Sequence, residues 1–499
     1  MLDIALIRAQ PDEVKERLAR LHDPGAVERV DKILELDARR RELLVEAESL
    51  QAQRNRLNRA MGKLRGSRQL SDRQKAVLMK EAASQVNAAH YDYAIATLQK
   101  DPGEIKPVSG GLNVTEELHD SEIRQGLADK GGIQFESDAP MEALIKALRG
   151  MSEQYSQRQA EIRATETALR DEMLWLPNLP HASVPVAASE DDNRPRTPEG
   201  NFRQFDAPPL PHWELGPTLG LIDFERGVKI AGSRGYILRG DGARLQQALI
   251  HYFLDQARED GYEQYYVPLM VPAEMLFGAG QFPKFEDTVY KEDHGSRYML
   301  PTAEVALTNL HRDEILDESE LPLKYVAHSP CFRREHMSAG RDTRGIKRVH
   351  QFEKVERYLF TTPEESYDAL EALTEAAENL CRALDLPFRR LEIVSGDLGF
   401  SASKKYDVEV YAPGCDEWLE VSSCSNTEAF QARRANIRFR REGVRRPLHV
   451  HTLNGSGLAL PRVIIAILEN YQKADGSVDL PEVLVDYMGG QRVITVRQE

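Results

Sequence analysis

Apolar residues near the start of the chain recur in alternating steps of three and four. The members of this stripe are Ile33, Leu36, Leu43, Ala47, Leu50, Leu57, Met61 and Leu64, and Arg40 and Arg54 interrupt it at two positions. Such spacing keeps the residues on one face of a helix and is the pattern of a coiled-coil seam. A weaker copy runs from Leu144 to Leu169. Two helices of this kind in one chain predict an antiparallel helical hairpin, which we call the arm.

Glycine and proline separate the two predicted helices and then end the arm. In the segment between the helices, at about residues 68–140 and called the insertion below, Asp101-Pro-Gly, Ser109-Gly-Gly and Lys130-Gly-Gly predict turns or a small subdomain at the tip of the arm. The part from Asp101 to Pro140 is rich in acidic residues. Residues 176–211 are rich in proline and polar side chains, as a linker is. The expected organisation is an arm at 1–175, a linker at 176–211 and a second domain at 212–499.

Short β-rich runs alternate irregularly with helical patterns in the second domain. The predicted helices are Ala243–Asp260 and Leu458–Gln472, and the predicted strands are Tyr262–Val271, Lys324–Arg334, Arg348–Phe360, Tyr406–Tyr411, Trp418–Ser423 and Pro447–Leu453. Because there is no regular strand-helix repeat of the kind a parallel sheet needs, the pattern predicts an α+β domain with an antiparallel sheet.

Composition and charge narrow the function classes. The chain is 41% hydrophobic and 29% charged with a net charge of −15, which is typical of a globular protein and unlike one coated in basic surface. No apolar run of spanning length and no secretory or transit signal is visible, so the expected compartment is the cytoplasm and no membrane partner is expected. The four cysteines form no Cys-x-x-Cys pair, which predicts reduced thiols and no zinc site.

Two predicted neighbouring strands carry candidate binding residues. Alternation places His350, Phe352, Lys354 and Glu356 on one face of the strand Arg348–Phe360. An aromatic ring beside an acid would suit an adenine and an ammonium group. Arg333 and Glu335 likewise share a face of the preceding strand, and an arginine fork can hold phosphate and carboxylate together. An ion-pair ladder on a solvent face is the alternative.

Three further stretches add phosphate and metal chemistry. The loop Ser338–Gly345 is small, polar and basic, and a mobile surface loop is its alternative reading. Glu420, Ser422 and Ser423 offer hard oxygen ligands suited to Mg²⁺ bound with ATP, although such residues are common on exposed strands. Asn454–Gly457 predicts a tight turn before a helix that carries Arg462, an arrangement that favours a phosphate but also occurs without ligands.

A run of cations without acids marks one face of the first arm helix. Its members are Arg54, Arg56, Arg59, Lys63, Arg65 and Arg68. A charge run is usually a solvated face, but cations clustered on an extended arm also bind RNA phosphates.

Taken together, these stretches resemble the seryl-tRNA synthetases of bacterial type. The resemblance rests on Cys331-Phe-Arg-Arg-Glu335, Glu420-Val-Ser-Ser-Cys-Ser-Asn426, and His451-Thr-Leu-Asn-Gly-Ser-Gly457 running to Arg462, and it covers nearly the whole chain apart from the insertion. It implies a class II synthetase, a homodimer built on an antiparallel sheet. Motif one would end at Pro268 in the dimer interface, motif two would span Phe332–Glu356, and motif three His451–Glu469.

The resemblance also implies a role for each matching residue. The catalytic residues would be Arg333, Glu335 and Arg462. The ATP site would comprise Arg333, Arg334, Glu335, Val349, Phe352, Glu420, Val421, Ser422, Ser423 and Arg462, with Mg²⁺ on Glu420 and Ser423. Serine would be recognised by Thr302, Glu304, Arg333, Glu356 and Ser456, and tRNA by Arg54, Arg56, Arg59 and Lys63.

The implied activity is that of a serine–tRNA ligase. L-serine would react with ATP to give seryl-adenylate, and the seryl group would pass to the 3′-terminal adenosine of tRNA(Ser); use of tRNA(Sec) stays open. Arg334 and the pair Leu460-Pro461 depart from the family pattern. Two rivals remain: a ligase that passes the amino acid to a carrier protein, which would lack the arm, and a non-catalytic RNA-binding relative, which would have lost its ATP residues.

Overall fold

The computed structural model describes residues 1–101, 104, 139–335 and 344–496. The chain divides into two compact units, of which one is Ile33–Arg170 and the other combines Met1–Lys32 with Asp171–Glu499. Most of the loop Ser338–Gly345, and the part of the predicted insertion from 105 to 138, lie outside the described residues. The domain limits predicted at 175 and 211 remain predictions.

Two long helices, Pro24–Gly66 and Ala139–Leu174, form the predicted antiparallel hairpin. Their direction follows from the contacts between them. Arg39 pairs with Glu161 at 3.4 Å, and further along the first helix Glu46 pairs with Arg158 at 2.6 Å. The stripe predicted from the sequence is the buried seam: its buried members are Ile33, Leu43, Ala47, Leu57, Met61 and Leu64. The predicted arm is therefore confirmed.

The described part of the insertion is helical. Its two helices are Asp72–Asn87, which begins with a capping box between Ser71 and Gln74, and Tyr91–Leu98. Their apolar faces pack on the arm in one buried cluster that includes Leu57 and Leu64. Burial against the arm stabilises these helices, because two such short helices would be marginal alone.

An eight-stranded sheet organises the larger unit. Its strands, in order across the sheet, are Arg194–Pro195, Phe388–Glu392, Lys404–Ala412, Glu417–Asn426, His451–Ala459, Gln351–Thr361, Leu323–Phe332 and Glu263–Tyr265. Neighbours run antiparallel, except that Glu263–Tyr265 is parallel to Leu323–Phe332. The prediction of an antiparallel α+β fold is confirmed.

Helices pack on the sheet and bury its apolar side chains in one large cluster. The three longest in this unit are Asp241–Glu259, Ser366–Ala383 and Leu460–Asn470. A second cluster, around Phe282, Phe360 and Phe439, completes the core. The shorter helices are Ile4–Ala9, Pro11–Ala19, His212–Thr218, Phe224–Ala231, Ala273–Gly278, Glu304–Thr308 and Phe430–Ala435.

Small sheets complete the unit. Their strands are Ile222–Asp223 with Ile237–Leu238, Met270–Val271 with Tyr298–Met299, Ile315–Asp317 with Arg438–Arg440 and Leu448–His449, and Val478–Asp479 with Val493–Ile494. None of the helices in the described ranges combines the length and apolar character needed to cross a bilayer.

The structure corrects the local reading of motif three. Asn454–Gly457, predicted as a tight turn, lies inside the strand His451–Ala459. Gly455 pairs with Cys424 on one side and Arg357 on the other. A Cβ at Gly455 would lie 3.0 Å from the Cys424 sulfur and 2.9 Å from Leu373, so the glycine serves close strand packing rather than turn formation.

Two other element predictions are wrong in detail. Tyr262–Val271 is two short strands, Glu263–Tyr265 and Met270–Val271, with Pro268 in the exposed connection. The strand that precedes motif two ends at Phe332, so Arg333 and Glu335 do not share a strand face; Glu335 has a φ of 52°. Proline lacks the N–H that a continuous strand would need, and a positive φ ends strand geometry.

Candidate active site

A cavity of about 610 Å³ opens over the centre of the large sheet. Most of the side chains predicted from the sequence line it. They are Thr302, Glu304, Arg333, Glu335, Val349, Phe352, Glu420, Val421, Ser423, Ser456 and Arg462. These residues are separated by up to 160 positions in the chain, and adjacent strands bring them together.

One end of the cavity holds buried acids and one lysine, and we call it the acidic end. The Lys354 ammonium donates to Thr302 Oγ1 at 2.8 Å and is ion-paired with Glu356, which is 0% exposed. Asn454 Nδ2 lies 3.3 Å from the other Glu356 oxygen. Glu356 does not line the cavity itself but sits behind Thr302 and Lys354. Ser456, its neighbour across the strands, does line the cavity.

Glu304, also at the acidic end, has a pKa well above that of an ordinary glutamate. Burial, reinforced by the charge of Glu356, raises the pKa of Glu304 to about 7. Lys354, Arg333 and a 2.6 Å hydrogen bond from Gln431 Nε2 oppose the shift. Gln431 is itself held in one orientation, because its Nε2 also donates to the Ala279 carbonyl and its Oε1 accepts from Tyr358 at 2.7 Å.

Two arginines and several oxygen ligands also line the cavity, and we call the part around Arg462, Glu420 and Ser423 the polar end. The Arg333 guanidinium lies 5.1 Å from the centre of the Phe352 ring, and its Nε donates to the Pro301 carbonyl at 3.3 Å. Arg462 Nη1 donates to the Glu420 backbone carbonyl at 2.6 Å. The Arg462 side chain therefore links its helix to the strand that carries Glu420.

Glu420 and Ser423 fit a hard cation by donor type, since one carboxylate and one hydroxyl leave room for phosphate oxygens. Ser423 is paired across the sheet with Asp407, whose pKa burial raises to about 7. Lys405 lines the cavity beside them and lies 3.4 Å from Asp407. Neither residue was singled out from the sequence, and the predicted strand Tyr406–Tyr411 begins one residue after Lys405, whereas the observed strand Lys404–Ala412 contains both.

Two residues predicted to bind ATP lie outside the lining. Arg334 is exposed, with its guanidinium 5.8 Å from the centre of the Tyr290 ring. Ser422 is buried and donates its hydroxyl to the Ser456 carbonyl at 2.7 Å. Because strand side chains alternate, Ser422 points away from the face that carries Ser423. Sequence reasoning also missed Gln431, whose link to Glu304 spans 127 residues.

The predicted RNA-binding residues lie on the arm. Arg59 and Lys63 are exposed, whereas Arg54 stacks 5.5 Å from the centre of the Tyr155 ring. Arg56 forms a 3.2 Å ion pair with Asp92 of the insertion, with both side chains more than half exposed. Pro268, in the larger unit, is exposed and lies near two exposed apolar side chains, Tyr266 and Met270.

An antiparallel sheet with this cavity at its centre defines the class II aminoacyl-tRNA synthetase core. The family model "tRNA synthetase class II core domain (G, H, P, S and T)" matches residues 284–471. A second model, "Seryl-tRNA synthetase N-terminal domain", matches residues 1–99. With the relatives described next, these matches show that the chain belongs to the seryl-tRNA synthetase family.

Relatives and solved structures agree. The serine–tRNA ligase of Roseiflexus sp. (strain RS-1) is 48% identical over 495 residues, 99% of each chain. That of Chloroflexus aurantiacus (strain J-10-fl) is 46% identical over 99% of this chain and its own full length. Seryl-tRNA synthetase from Pyrococcus horikoshii, solved with ATP, aligns over 100% of both chains with a TM-score of 0.80 and 34% identity.

The cytoplasmic serine–tRNA ligase of Naegleria fowleri, solved with AMP, aligns over 100% of this chain and 99% of its own, with a TM-score of 0.76 and 28% identity. The predicted family is confirmed. One part of that prediction needs correction: the alignments with the bacterial relatives run through 99% of the chain, so the resemblance does not stop at the insertion.

Proposed function

We propose that this chain activates L-serine with ATP and transfers the seryl group to the 3′-terminal adenosine of tRNA(Ser). One observation carries the proposal: the arginines Arg333 and Arg462 line the same cavity as the buried acid Glu304, and a second buried acid, Glu356, lies behind Thr302. An ammonium group requires such acids, and a triphosphate requires such arginines.

In the first step a serine carboxylate oxygen attacks the α-phosphorus of ATP and pyrophosphate leaves. Arg333 would hold the α-phosphate and the serine carboxylate, and Arg462 the γ-phosphate, so that catalysis consists of positioning and charge neutralisation. A magnesium ion bound with ATP would be held by Glu420 and Ser423 and would neutralise phosphate charge there. Glu335 and the Val349 backbone would contact the nucleotide, and Phe352 would stack on adenine.

Serine selectivity would come from the acidic end. Thr302, Glu304 and Ser456 line this end of the cavity, with Glu356 buried behind Thr302, and these groups would bind the ammonium and the hydroxyl of serine. Alanine would leave these buried groups without a partner, and a site built to bond a hydroxyl rejects the analogue that lacks it.

In the second step the terminal ribose hydroxyl of tRNA attacks the seryl carbonyl carbon and AMP leaves. The exposed cations Arg56, Arg59 and Lys63, with Arg54, would bind RNA phosphates along the arm. We propose that the protein acts in the cytoplasm. We also propose that it forms a homodimer with Pro268 in the interface, because the ring of Tyr266, two residues away, is 95% exposed and an interface would cover it.

The test is ATP–pyrophosphate exchange with serine, threonine, alanine and glycine supplied in parallel, followed by charging of bulk tRNA. We expect exchange with serine alone and charged tRNA. Exchange without charging would favour a ligase that serves a carrier protein, and absence of exchange with all four amino acids would reject the activity. Charging of purified tRNA(Sec) decides whether that tRNA is also a substrate.

A further inference from the structure

Three side chains that the proposed reaction does not use meet in the core beside the cavity. They are His212, at the start of its helix, Cys415, in the turn after the strand Lys404–Ala412, and Glu469, near the end of the helix Leu460–Asn470. His212 and Glu469 are 0% exposed. Their nitrogen, sulfur and oxygen atoms lie within 4.8 Å of one another, as the ligands of a metal ion would.

The hydrogen bonds of His212 nevertheless argue against metal binding. The backbone N–H of Ile346 donates to His212 Nε2 at 3.1 Å, so this nitrogen must carry a lone pair. The ring proton of the neutral imidazole is therefore on Nδ1, which lies 2.8 Å from Glu469 Oε1 and donates to it. A metal ion on Nδ1 would move the proton to Nε2, where it would face the Ile346 N–H.

Glu469 completes the arrangement as an ionised acceptor. Burial opposes its charge, but hydrogen bonds from His212 and Cys415 outweigh burial and lower the pKa of Glu469. Its oxygens accept from the backbone N–H groups of His212 at 2.9 Å and Cys415 at 3.0 Å, and from the Cys415 thiol at 3.0 Å. These donors hold the Glu469 carboxylate in place, and the carboxylate in turn accepts from His212 Nδ1 and fixes the tautomer of the ring.

The partner of His212 begins the chain segment that returns to the cavity. Lys347, Arg348 and Val349 follow Ile346 directly, and all three line the cavity. The Lys347 carbonyl lies 3.5 Å from Arg462 Nε, which ties this segment to the arginine proposed for the γ-phosphate. A displacement of Ile346 would therefore move residues at the polar end of the cavity and would leave Glu304 and Glu356 in place.

Gly345 provides an independent sign of how closely His212 is seated. Its φ is +70°, and a Cβ on it would lie 1.8 Å from His212 Nε2. Only glycine fits between the imidazole and the backbone here. The close approach of this segment to His212 thus depends both on the acceptor nitrogen Nε2 and on the absence of a side chain at Gly345.

We propose that His212, oriented by Glu469, is a positioning residue that holds Gly345–Val349 in the geometry needed to bind ATP. This inference rests on the proposed function for the identity of the nucleotide. It assigns His212 no contact with substrate. The expected consequence of losing the His212–Ile346 bond is weaker ATP binding with serine binding preserved.

The test compares two amide substitutions. His212→Asn keeps a donor for Glu469 but has no acceptor at the Nε2 position, whereas the longer amide of His212→Gln can place its oxygen there. We expect His212→Asn to raise the KM for ATP about tenfold, as for a buried donor left unpaired, with the KM for serine within about twofold. His212→Gln should restore most of the ATP affinity. His251→Asn, on an exposed helix face, is the matched control.

Direct titration of ATP onto each variant separates this inference from the proposed reaction. Equal ATP affinity in wild type and His212→Asn would overturn the inference even if serine activation is normal, whereas a wild type that binds ATP but activates no serine would reject the function alone. Equal losses for ATP and serine would mean general damage and would also overturn it. Stoichiometric metal in the purified protein, lost in His212→Asn, would replace the inference with a metal site.

Should His212→Asn fail to fold, Gly345→Ala tests the same contact from the opposite side. The added methyl group must displace the imidazole, so a folded Gly345→Ala protein should show the same selective loss of ATP affinity. Unchanged ATP affinity in that variant would refute the positioning role. Where both single variants fold, their effects should not add in the double variant, because each removes one shared contact.

Discussion

Glu356, buried behind the cavity wall, and Arg56, on the arm, are both acid–base side chains in ion pairs, but their surroundings differ completely. Glu356 is 0% exposed and is paired with Lys354, which is 9% exposed at its side chain. Arg56 and its partner Asp92 are 53% and 63% exposed. Water screens the arm pair, whereas removal of one partner in the cavity leaves an uncompensated buried charge. Substitution of a single cavity residue should therefore lower activity far more than substitution of a single arm residue.

The largest effect is expected at Arg333, where one side chain is proposed to serve both substrates. Arg333→Ala should lower serine-dependent ATP–pyrophosphate exchange by about 10³-fold or more, because a cation aimed at developing charge is lost. Arg258→Ala, an exposed helix arginine paired with Asp255, is the control. Exchange within tenfold of wild type in Arg333→Ala would remove Arg333 from the mechanism.

Gln431 should come next, although it does not line the cavity. Gln431→Leu leaves the Glu304 carboxylate and the Tyr358 hydroxyl each without a hydrogen bond that the structure shows. We expect kcat/KM for serine to fall by about 10- to 100-fold, with the KM for ATP nearly unchanged. Exchange kinetics at varied serine and at varied ATP measure the two. A change in the ATP parameter alone would contradict the assignment of this end to serine.

Glu304 should make serine activation depend on pH near neutrality. Its pKa of about 7 means that the carboxyl gains a proton below that pH and loses the charge proposed to pair with the serine ammonium. We expect kcat/KM for serine to fall up to about tenfold per unit as pH drops below 7. The profile in Glu304→Gln should be flat through this range. An unchanged profile in that variant would assign the pH dependence to another group.

The same shift acts on stability with a defined sign. The folded pKa of about 7 lies above the ordinary value of 4.5. The stabilisation from protonated Glu304 is therefore complete below about pH 4.5 and is lost as pH rises towards 7. The Tm of Glu304→Gln relative to wild type should accordingly be higher at pH 8 than at pH 5.

On the arm, several cations must be removed together for a clear effect. Replacing Arg54, Arg56 and Arg59 with Ala should lower kcat/KM for tRNA charging about tenfold and reduce its logarithmic salt slope by roughly two. Serine-dependent exchange should stay at the wild-type rate, because none of the three lines the cavity. Unaltered charging at physiological salt would exclude the basic face from tRNA binding.

The smallest effect is expected from Asp92. Asp92→Asn removes the ion pair that occupies Arg56, an exposed pair worth about 0.2–1 kcal/mol. Affinity for tRNA should rise by no more than about fivefold. Filter binding at low salt can resolve this change. A decrease in affinity would indicate that Asp92 orients Arg56 for RNA instead of competing with it.

The arm could be predicted from the sequence because its seam depends on residues three and four apart. The bounds predicted for the strands Gln351–Thr361 and Lys404–Ala412 also lie within a few residues of the observed ones, because the alternation of strand side chains is a local pattern. The prediction of a turn at Asn454–Gly457 is wrong because a glycine that allows close packing of neighbouring strands cannot be told from a turn glycine in the sequence alone. The hydrogen bonds of Gln431 with Glu304 and of His212 with Ile346 join residues more than a hundred positions apart, and such pairs leave no periodic signal.

The position of the strand His451–Ala459 has a consequence for synthesis on the ribosome. This strand lies in the middle of the sheet, between Glu417–Asn426 and Gln351–Thr361, although it is the last of the eight to be translated in a chain of 499 residues. Until it emerges, the two halves of the sheet have no shared partner and expose edges to other chains. The arm can fold long before that, so the nascent protein would acquire its arm helices early and its cavity only at the end of translation.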